Sequence, residues 1–432
     1  MRALRLAQVR TLLLLFAGYA SCYYCRADLS VATPLIVAEL GKRGFDHDQA
    51  ILRIGAISSY GVLAYAIGKF FLTGIGDYWG GRRSLLVCMA GAVLFTLLFA
   101  TGSAPGLFAL AWVGNRLTQS IGWAGLIKVS SRWFNYSSYG SVLGVLSVSY
   151  LIGDALAREQ MGTLIEHGHG WRLLFVFAAA VTGLMLLANL VWLRESRSAQ
   201  GFPEAVPNPR NLFGSAEGPS SFLALLRTLL ASRAFLLVCL LSFATTIVRE
   251  TFNTWTPLYL RDFAGYGAGR AAVLSAVFPG VGAGSVLLAG WWSDRLGVNG
   301  RALLLFLGLA ATAVVLLAMI ALRPGTGDSL LPATLIGLVA FCLLGPYSYL
   351  GGAFALDFGG KRASAASSGI IDGIGYLGGV LAGSAVARLA VAFGWPGVFL
   401  ALAAASGLAA LGAGYLYHLN ARAAAAAATA AA

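Results

Sequence analysis

Apolar residues in this chain come in runs of about 20, the length that crosses a hydrocarbon core, and not in the short alternation of a water-facing helix or strand. These runs fall near residues 11–35, 50–76, 84–103, 105–128, 139–163, 171–193, 234–258, 268–292, 301–322, 330–356, 364–388 and 396–418. Lipid offers backbone N–H and C=O groups no partner, so each run must close its hydrogen bonds internally as a helix unless strands seal a barrel. The pattern predicts an all-α membrane protein with twelve transmembrane helices.

Between the sixth and seventh runs the pattern lapses into Glu195-Ser196-Arg197-Ser198, prolines, glycines and Asn208-Pro209-Arg210-Asn211, the composition of a loop. The chain therefore divides into an N-terminal six-helix bundle over 1–193, a cytoplasmic linker over 194–229, a C-terminal six-helix bundle over 230–420 and an Ala-rich tail over 421–432. The tail is low complexity and carries no assigned role. Arginines ahead of Leu12-Leu13-Leu14-Leu15-Phe16, with small residues leading to Cys22, imitate a lipoprotein leader. Tyr19 stands where such a leader has an aliphatic residue, and cleavage would leave an odd number of spans, so the segment is read as the first span.

Basic residues in the connections orient the spans, because Lys and Arg stay on the cytoplasmic side during insertion. With both termini inside, the inner set is Arg2, Arg5, Arg10, Arg82, Arg83, Arg132, Arg194, Arg197, Arg210, Arg227, Arg233, Arg295, Arg301, Lys361, Arg362 and Arg422. The outer set is Lys42, Arg43, Arg172, Arg261, Arg270, Arg323 and Arg388. The net charge of +13 is then mostly topology, and no compact basic patch with interleaved aromatics marks a nucleic-acid partner. A multi-pass protein of the cytoplasmic membrane is expected, monomeric, with the lipid bilayer as its surroundings.

Composition agrees. The hydrophobic fraction is 58% and the charged fraction 11%, against roughly 25% charged in soluble domains. Cys22 and Cys25 form a C-x-x-C without the βαβ context or extra ligands of redox or metal chemistry, so all five cysteines are read as packing residues. His47, His167, His169 and His418 lie near loops or ends, and no glycine-rich stretch follows a strand or carries the Gly-Lys-Ser/Thr of a nucleotide loop. No enzyme, cofactor or metal site is expected.

Against that apolar background Arg26 and Arg249 stand out, each about two thirds of the way along its span. A guanidinium at membrane depth costs roughly 2.5 to 3.5 kcal/mol, which points to a task such as gripping an anion. The segments that hold them match in the two halves. After the second span comes Gly74-Ile75-Gly76-Asp77-Tyr78-Trp79-Gly80-Gly81-Arg82-Arg83, and after the eighth comes Gly290-Trp291-Trp292-Ser293-Asp294-Arg295-Leu296-Gly297. Asp77 and Asp294 are 217 positions apart, and Arg26 and Arg249 are 223 apart, as two six-helix repeats require. In each loop motif the carboxylate and arginines can cap helix ends and form a charge cluster that holds a cytoplasmic gate closed.

With these motifs in view, the chain resembles a major facilitator superfamily transporter. More narrowly, it is similar to the organophosphate:phosphate antiporters. The residues that carry this are Gly18-Tyr19, Tyr23-Tyr24-Cys25-Arg26 with Pro34, Tyr65-Ala66-Ile67-Gly68-Lys69-Phe70 and Gln119-Ser120-Ile121-Gly122-Trp123. In the second half they are Val248-Arg249, Trp255-Thr256-Pro257, Tyr259-Leu260, Gly345-Pro346 and Ile370-Ile371-Asp372-Gly373-Ile374-Gly375-Tyr376. The resemblance implies two pseudo-symmetric six-helix bundles and alternating access, with a small anionic substrate and inorganic phosphate as partners.

It also implies roles. Arg26 and Arg249 occupy the positions of the family's paired phosphoryl-binding arginines, and Lys69 that of a third cation in the site. A planar fork of N–H donors suits phosphate oxygens bidentately. Tyr23, Tyr24, Tyr65 and Tyr150 offer hydroxyls, and Trp123 and Trp255 are read as packing or rim residues. Tyr150 stands where the bacterial carriers have a histidine, Ala124-Gly125 where they have a double proline, and Lys128 where they have an arginine. Coupling and gating candidates are Asp77, Arg82, Arg83, Asp294, Arg295, Glu250, Asp154 and Asp372, with Arg158 one turn beyond Asp154. Asp28 and Glu250 are also available to pair with the two arginines.

The expected function is exchange of an organic phosphate, of the sugar phosphate or glycerol phosphate class, for inorganic phosphate. A proton-coupled symporter for an organic anion is the alternative, with Glu250, Asp28 or Asp154 as proton carrier. A transporter-like sugar-phosphate sensor is a third reading.

Overall fold

The structure is a computed structural model that describes residues 2–72, 79–205, 227 and 229–431, with side chains except at 105, 136–141, 293–299, 356–357, 359–366 and 423–431. No strand occurs among the described residues. Nine of their helices are long and apolar enough to cross a membrane by length and composition. The remaining spans follow from three departures. The fourth span is divided at Ser120-Ile121 into Pro105–Gln119 and Gly122–Trp133. The fifth, Tyr136–Glu166, carries Asp154, Arg158 and Glu159, which lowers its mean hydropathy. The eleventh and twelfth form one element, Ala355–Ala431, whose 77 residues would stretch about 115 Å if straight. Inside it Gly394 has φ +65°, a left-handed conformation that a continuous right-handed helix excludes, and Pro396 follows. The two spans meet at that turn. Beyond them the same helix runs into the Ala-rich tail, as alanine's helix propensity favours.

The burial pattern inverts that of a soluble protein. Leu94, Leu184, Val314 and Leu411 are each more than 60% exposed, whereas Asp28, Arg116, Arg158 and Glu250 are buried. Apolar side chains face outward where lipid replaces water, and the costly polar groups turn toward partners. All five cysteines are free.

Contacts group the chain into two compact units. The first gathers Met1–Pro209 with Asn253–Gly280 and Pro324–Ser329, and the second gathers Arg210–Phe252, Val281–Arg323 and Leu330–Ala432. Chain order alone divides the sequence at the linker, yet 253–280 packs with the first unit for identifiable reasons. Gly162 of the fifth span and Gly269 of the eighth face each other so closely that a Cβ on either would come within 2.9 Å of the other's carbonyl oxygen. The segment 324–329 follows because the N–H groups of Gly325 and Gly327 donate to Phe263 O and Ala264 O, at 2.9 Å each.

Within the first unit, the loop motif after the second span is partly described. Asp77 lies outside the described residues, as do the side chains of Asp294 and Arg295 in the second copy. Glu195, from the start of the linker, accepts hydrogen bonds from Gly81 N–H (2.9 Å) and Arg82 N–H (2.7 Å) and pairs with Arg132 at 2.9 Å. A carboxylate there offsets the positive end of the third span, Gly81–Thr101. Arg82 reaches the last carbonyls of the sixth span, Leu193 O at 2.7 Å and Leu190 O at 2.8 Å, while Arg83 is exposed. Replacing Glu195 by Gln is expected to cost about 1 kcal/mol. A lowered unfolding midpoint in detergent checks this, and an unchanged midpoint would show that the cap contributes nothing.

Candidate functional site

The first unit assembles its cluster where the first span breaks. The helices Arg2–Cys22 and Tyr24–Lys42 meet at Tyr23, whose carbonyl accepts from Arg26 N–H (3.2 Å) and Ala27 N–H (2.9 Å). The guanidinium carbon of Arg26 lies 4.5 Å from the centre of the Tyr65 ring and 5.2 Å from that of Tyr23. Lys69, one helical turn after Tyr65 on His47–Phe71, places Nζ 5.6 Å from the same Tyr65 ring. Arg116, on the fourth span, brings its guanidinium to 5.9 Å from Tyr65 and 5.3 Å from Trp112. Three cations thus surround one buried phenol, whose ring face attracts positive charge. Tyr150 joins through Tyr23, their ring centres 5.4 Å apart. Trp123 packs on Tyr19, with ring centres 5.4 Å apart.

Not every predicted residue converges here. Tyr24, rotated about 100° from Tyr23 on the helix, donates its hydroxyl to Gln160 Oε1 at 2.9 Å and stands beside Phe177. Asp28 is fully buried and accepts from Leu29 N–H at 2.7 Å and from the Thr96 hydroxyl at 3.5 Å. Asn115 extends that network to Thr96 (3.0 Å), and Gln119 donates to Asn115 Oδ1 (2.7 Å) and Cys25 O (3.3 Å).

The second unit holds the other arginine differently. Arg249 Nη2 donates to Glu250 Oε1 at 2.6 Å, and its guanidinium carbon lies 4.7 Å from the Tyr347 ring centre and 5.4 Å from that of Tyr376. Tyr347 follows Pro346 and precedes a π-helical turn, Leu350–Phe354, a local widening that re-aims side chains. Asp372 sits one turn before Tyr376 on the same face, and Gly351 leaves the space its carboxylate fills.

A third constellation lies within the first unit. Arg158 is 2% exposed; its Nε donates to Asp154 Oδ1 at 2.9 Å, and its Nη2 donates to Asn253 O at 2.7 Å. The hydroxyls of Ser275 and Ser30 stand 3.3 and 3.5 Å from Nη1. Asn253 O is available because Pro257, four residues on, has no N–H to occupy it. Ser30 Oγ also donates to that carbonyl, at 2.7 Å. Pro34 and Pro257 are 223 positions apart, the same offset as Arg26 and Arg249, so the missing backbone N–H recurs in register inside each helix. Trp255, two residues before Pro257, is fully buried.

Sequence reasoning missed Arg116, Glu195, Tyr347 and Tyr376. For Arg116 a signal existed: Asn115, Arg116 and Gln119 form a polar run inside an apolar span, as costly there as Arg26. For Tyr347 none existed, since an aromatic in an apolar span is ordinary, and Tyr376 stood in a motif that carried the resemblance but had no role assigned to it.

Apolar helices built around buried cations define a multi-pass membrane carrier. The chain belongs to the Major Facilitator Superfamily, whose family profile matches residues 15–383, and it has the twelve-helix, two-bundle fold of that family of transporters. It is 28% identical over 410 residues to a "Probable hexose phosphate transport protein" of Chlamydia trachomatis, covering 90% of this chain and 86% of that one. It is 27% identical over 409 residues to the "Membrane sensor protein UhpC" of Escherichia coli, covering 93% and 89%. Among solved structures, a bacterial homolog of the human lysosomal transporter Spinster, in its inward-facing unoccupied conformation, superposes with a TM-score of 0.73 at 15% identity. That match covers 96% of this chain and 97% of that one.

Proposed function

We propose that this protein is a secondary transporter that exchanges an organic phosphate, of the sugar phosphate or glycerol phosphate class, for inorganic phosphate by alternating access. The observation that carries this reading is the convergence of Arg26, Lys69 and Arg116 on Tyr65. Arg26 and Lys69 lie within 4.5 and 5.6 Å of that ring centre, hence no more than about 10 Å apart. Like charges at that separation repel by roughly 1.5 kcal/mol or more at an effective dielectric constant of about 20. A dianionic phosphoryl group relieves that repulsion, and an empty site that keeps it disfavours crossing unloaded, which makes exchange obligatory. Tyr23, Tyr65 and Tyr150 supply hydroxyls to the same ligand, and Arg249 is a cargo ligand in the second unit. The hexose phosphate carrier among the relatives supports the substrate class. On this reading the protein is a monomer of the cytoplasmic membrane with both termini inside, and its two bundles are those expected over 1–193 and 230–420.

Counterflow tests the reading. Purified protein in vesicles loaded with inorganic phosphate is expected to take up labelled phosphate and to release it when a sugar phosphate or glycerol phosphate is added outside. Absence of any phosphate exchange across a range of pH would end it. A sensor reading draws on the Escherichia coli relative and is favoured by ligand binding without translocation. Of the three candidate carriers in the proton-symport alternative, Asp154 and Glu250 are each bonded to an arginine, which weakens them in that role, whereas Asp28 accepts from Leu29 N–H and the Thr96 hydroxyl and keeps the alternative in play. Uptake driven by an imposed pH gradient would favour it.

A further inference from the structure

The three cations gathered on Tyr65 are not equally accessible. Arg26 and Lys69 are half-buried, whereas Arg116 is 5% exposed, its guanidinium 5.9 Å from the Tyr65 ring centre and 5.3 Å from that of Trp112. Gly61, one turn before Tyr65 on the second span, leaves the room for this slot: a Cβ there would come within 3.0 Å of Arg116 Cγ and 2.3 Å of Trp112 Nε1. Asp28, fully buried on the first span, lies within electrostatic reach of Arg116. With Tyr19 and Tyr23 nearby, all of these residues belong to the first unit.

We propose that Arg116 is a specificity-determining residue: as a sealed charge beside the first unit's cluster, it makes that cluster select anions carrying two negative charges, so that phosphate monoesters are taken and sulfate esters of the same shape are refused. This rests on the organophosphate reading above. Arg26 or Lys69, donating to a cargo oxygen, donates to either ester, and losing that contact weakens both. A sealed guanidinium makes no such bond with cargo; its attraction scales with the cargo's charge alone, and burial keeps water from screening it. At an effective dielectric constant of about 20, one additional charge held roughly 10 Å from Arg116 changes affinity about tenfold, and Asp28 offsets part of that.

The test is a competition assay in phosphate-loaded vesicles at a fixed pH of about 7.5, where a phosphate monoester, with its second pKa near about 6, is a dianion and a sulfate ester a monoanion. Matched pairs are used, hexose phosphate with hexose sulfate and glycerol phosphate with glycerol sulfate. The score is the ratio of sulfate ester to phosphate ester concentrations that half-inhibit labelled phosphate uptake. Wild type is expected to need at least about thirtyfold more sulfate ester, because Arg26 and Lys69 attract the second charge as well. In Arg116→Gln that ratio is expected to fall about five- to tenfold, and in Arg116→Lys, which keeps the charge, to stay close to wild type. The ratio is read within each protein, so a loss of packing that lowers uptake of every ligand does not move it. Should Arg116→Gln fail to insert, Arg116→Met, whose flexible apolar stem suits a slot between two rings, is read in its place. Should neither transport, stabilisation against heat by each ester gives the same ratio for purified wild type and for whichever variant folds. Equal stabilisation of wild type by the two esters of a pair would overturn the proposal, as would a neutral variant with the wild-type ratio. If wild type exchanges phosphate but treats the two esters alike, this inference falls and the exchange reading stands; if it exchanges no phosphate with any ester, both fall.

Discussion

Phosphate exchange by an Arg26→Lys variant is expected to fall by roughly ten- to a hundredfold in kcat/KM, with membrane insertion and unfolding midpoint little changed. Lysine keeps the positive charge and the cation–π contact but replaces a planar fork by a single ammonium. A hydrogen bond to a charged group contributes about 1.5 to 3 kcal/mol, and every 1.4 kcal/mol is tenfold, so the loss of one arm of a bidentate contact accounts for that range. Arg26→Ala is expected to abolish exchange outright. The surroundings explain why folding should tolerate the lysine: Arg26 is half-buried between the rings of Tyr23 and Tyr65, both of which accept any cation. Undiminished exchange by Arg26→Lys would show that geometry at this position is irrelevant and that bulk positive charge suffices.

The largest expected loss of stability belongs to Arg158. Arg158→Leu leaves the Asp154 carboxylate buried without its partner at 2.9 Å, and removes one of two donors to Asn253 O, with the Ser30 hydroxyl still donating to it. Breaking a buried pair on one side costs about 3 to 5 kcal/mol, because the remaining charge is neither solvated nor matched. The double variant Asp154→Leu with Arg158→Leu removes both charges and is expected to recover much of that loss, since a well-packed apolar replacement of a buried pair is often close to neutral. Thermal unfolding of the single and double variants in detergent measures the difference. Equal destabilisation in the two would mean that the pair itself carries little and that the contact to Asn253 carries most.

The spans, the paired arginines and the in-register prolines are legible in the sequence because each is a local statement. A run of apolar residues, a charge inside it and an imino acid keep their meaning wherever the helix packs. What a side chain faces is another matter. Tyr23 and Tyr24 are neighbours in sequence and equally plausible as ligands, yet helical rotation sends one toward Arg26 and the other toward Gln160. Arg249 and Glu250 are adjacent, a spacing that predicts no contact on a helix, and they form a short pair all the same. The packing of 253–280 with the first unit was hidden for a similar reason. It depends on a glycine-to-glycine approach and on a backbone carbonyl, and neither leaves a mark in composition.

That carbonyl has an evolutionary consequence. An acceptor made of main chain cannot be deleted by substitution at its own position, so Asn253 could drift to most other residues without erasing the bond that Arg158 makes. The vulnerability is displaced to position 257, where any residue with an amide hydrogen would reclaim the oxygen for the helix and compete with the guanidinium for it. Selection on this contact should therefore be felt at Pro257 and Arg158, not at the residue whose atom they share.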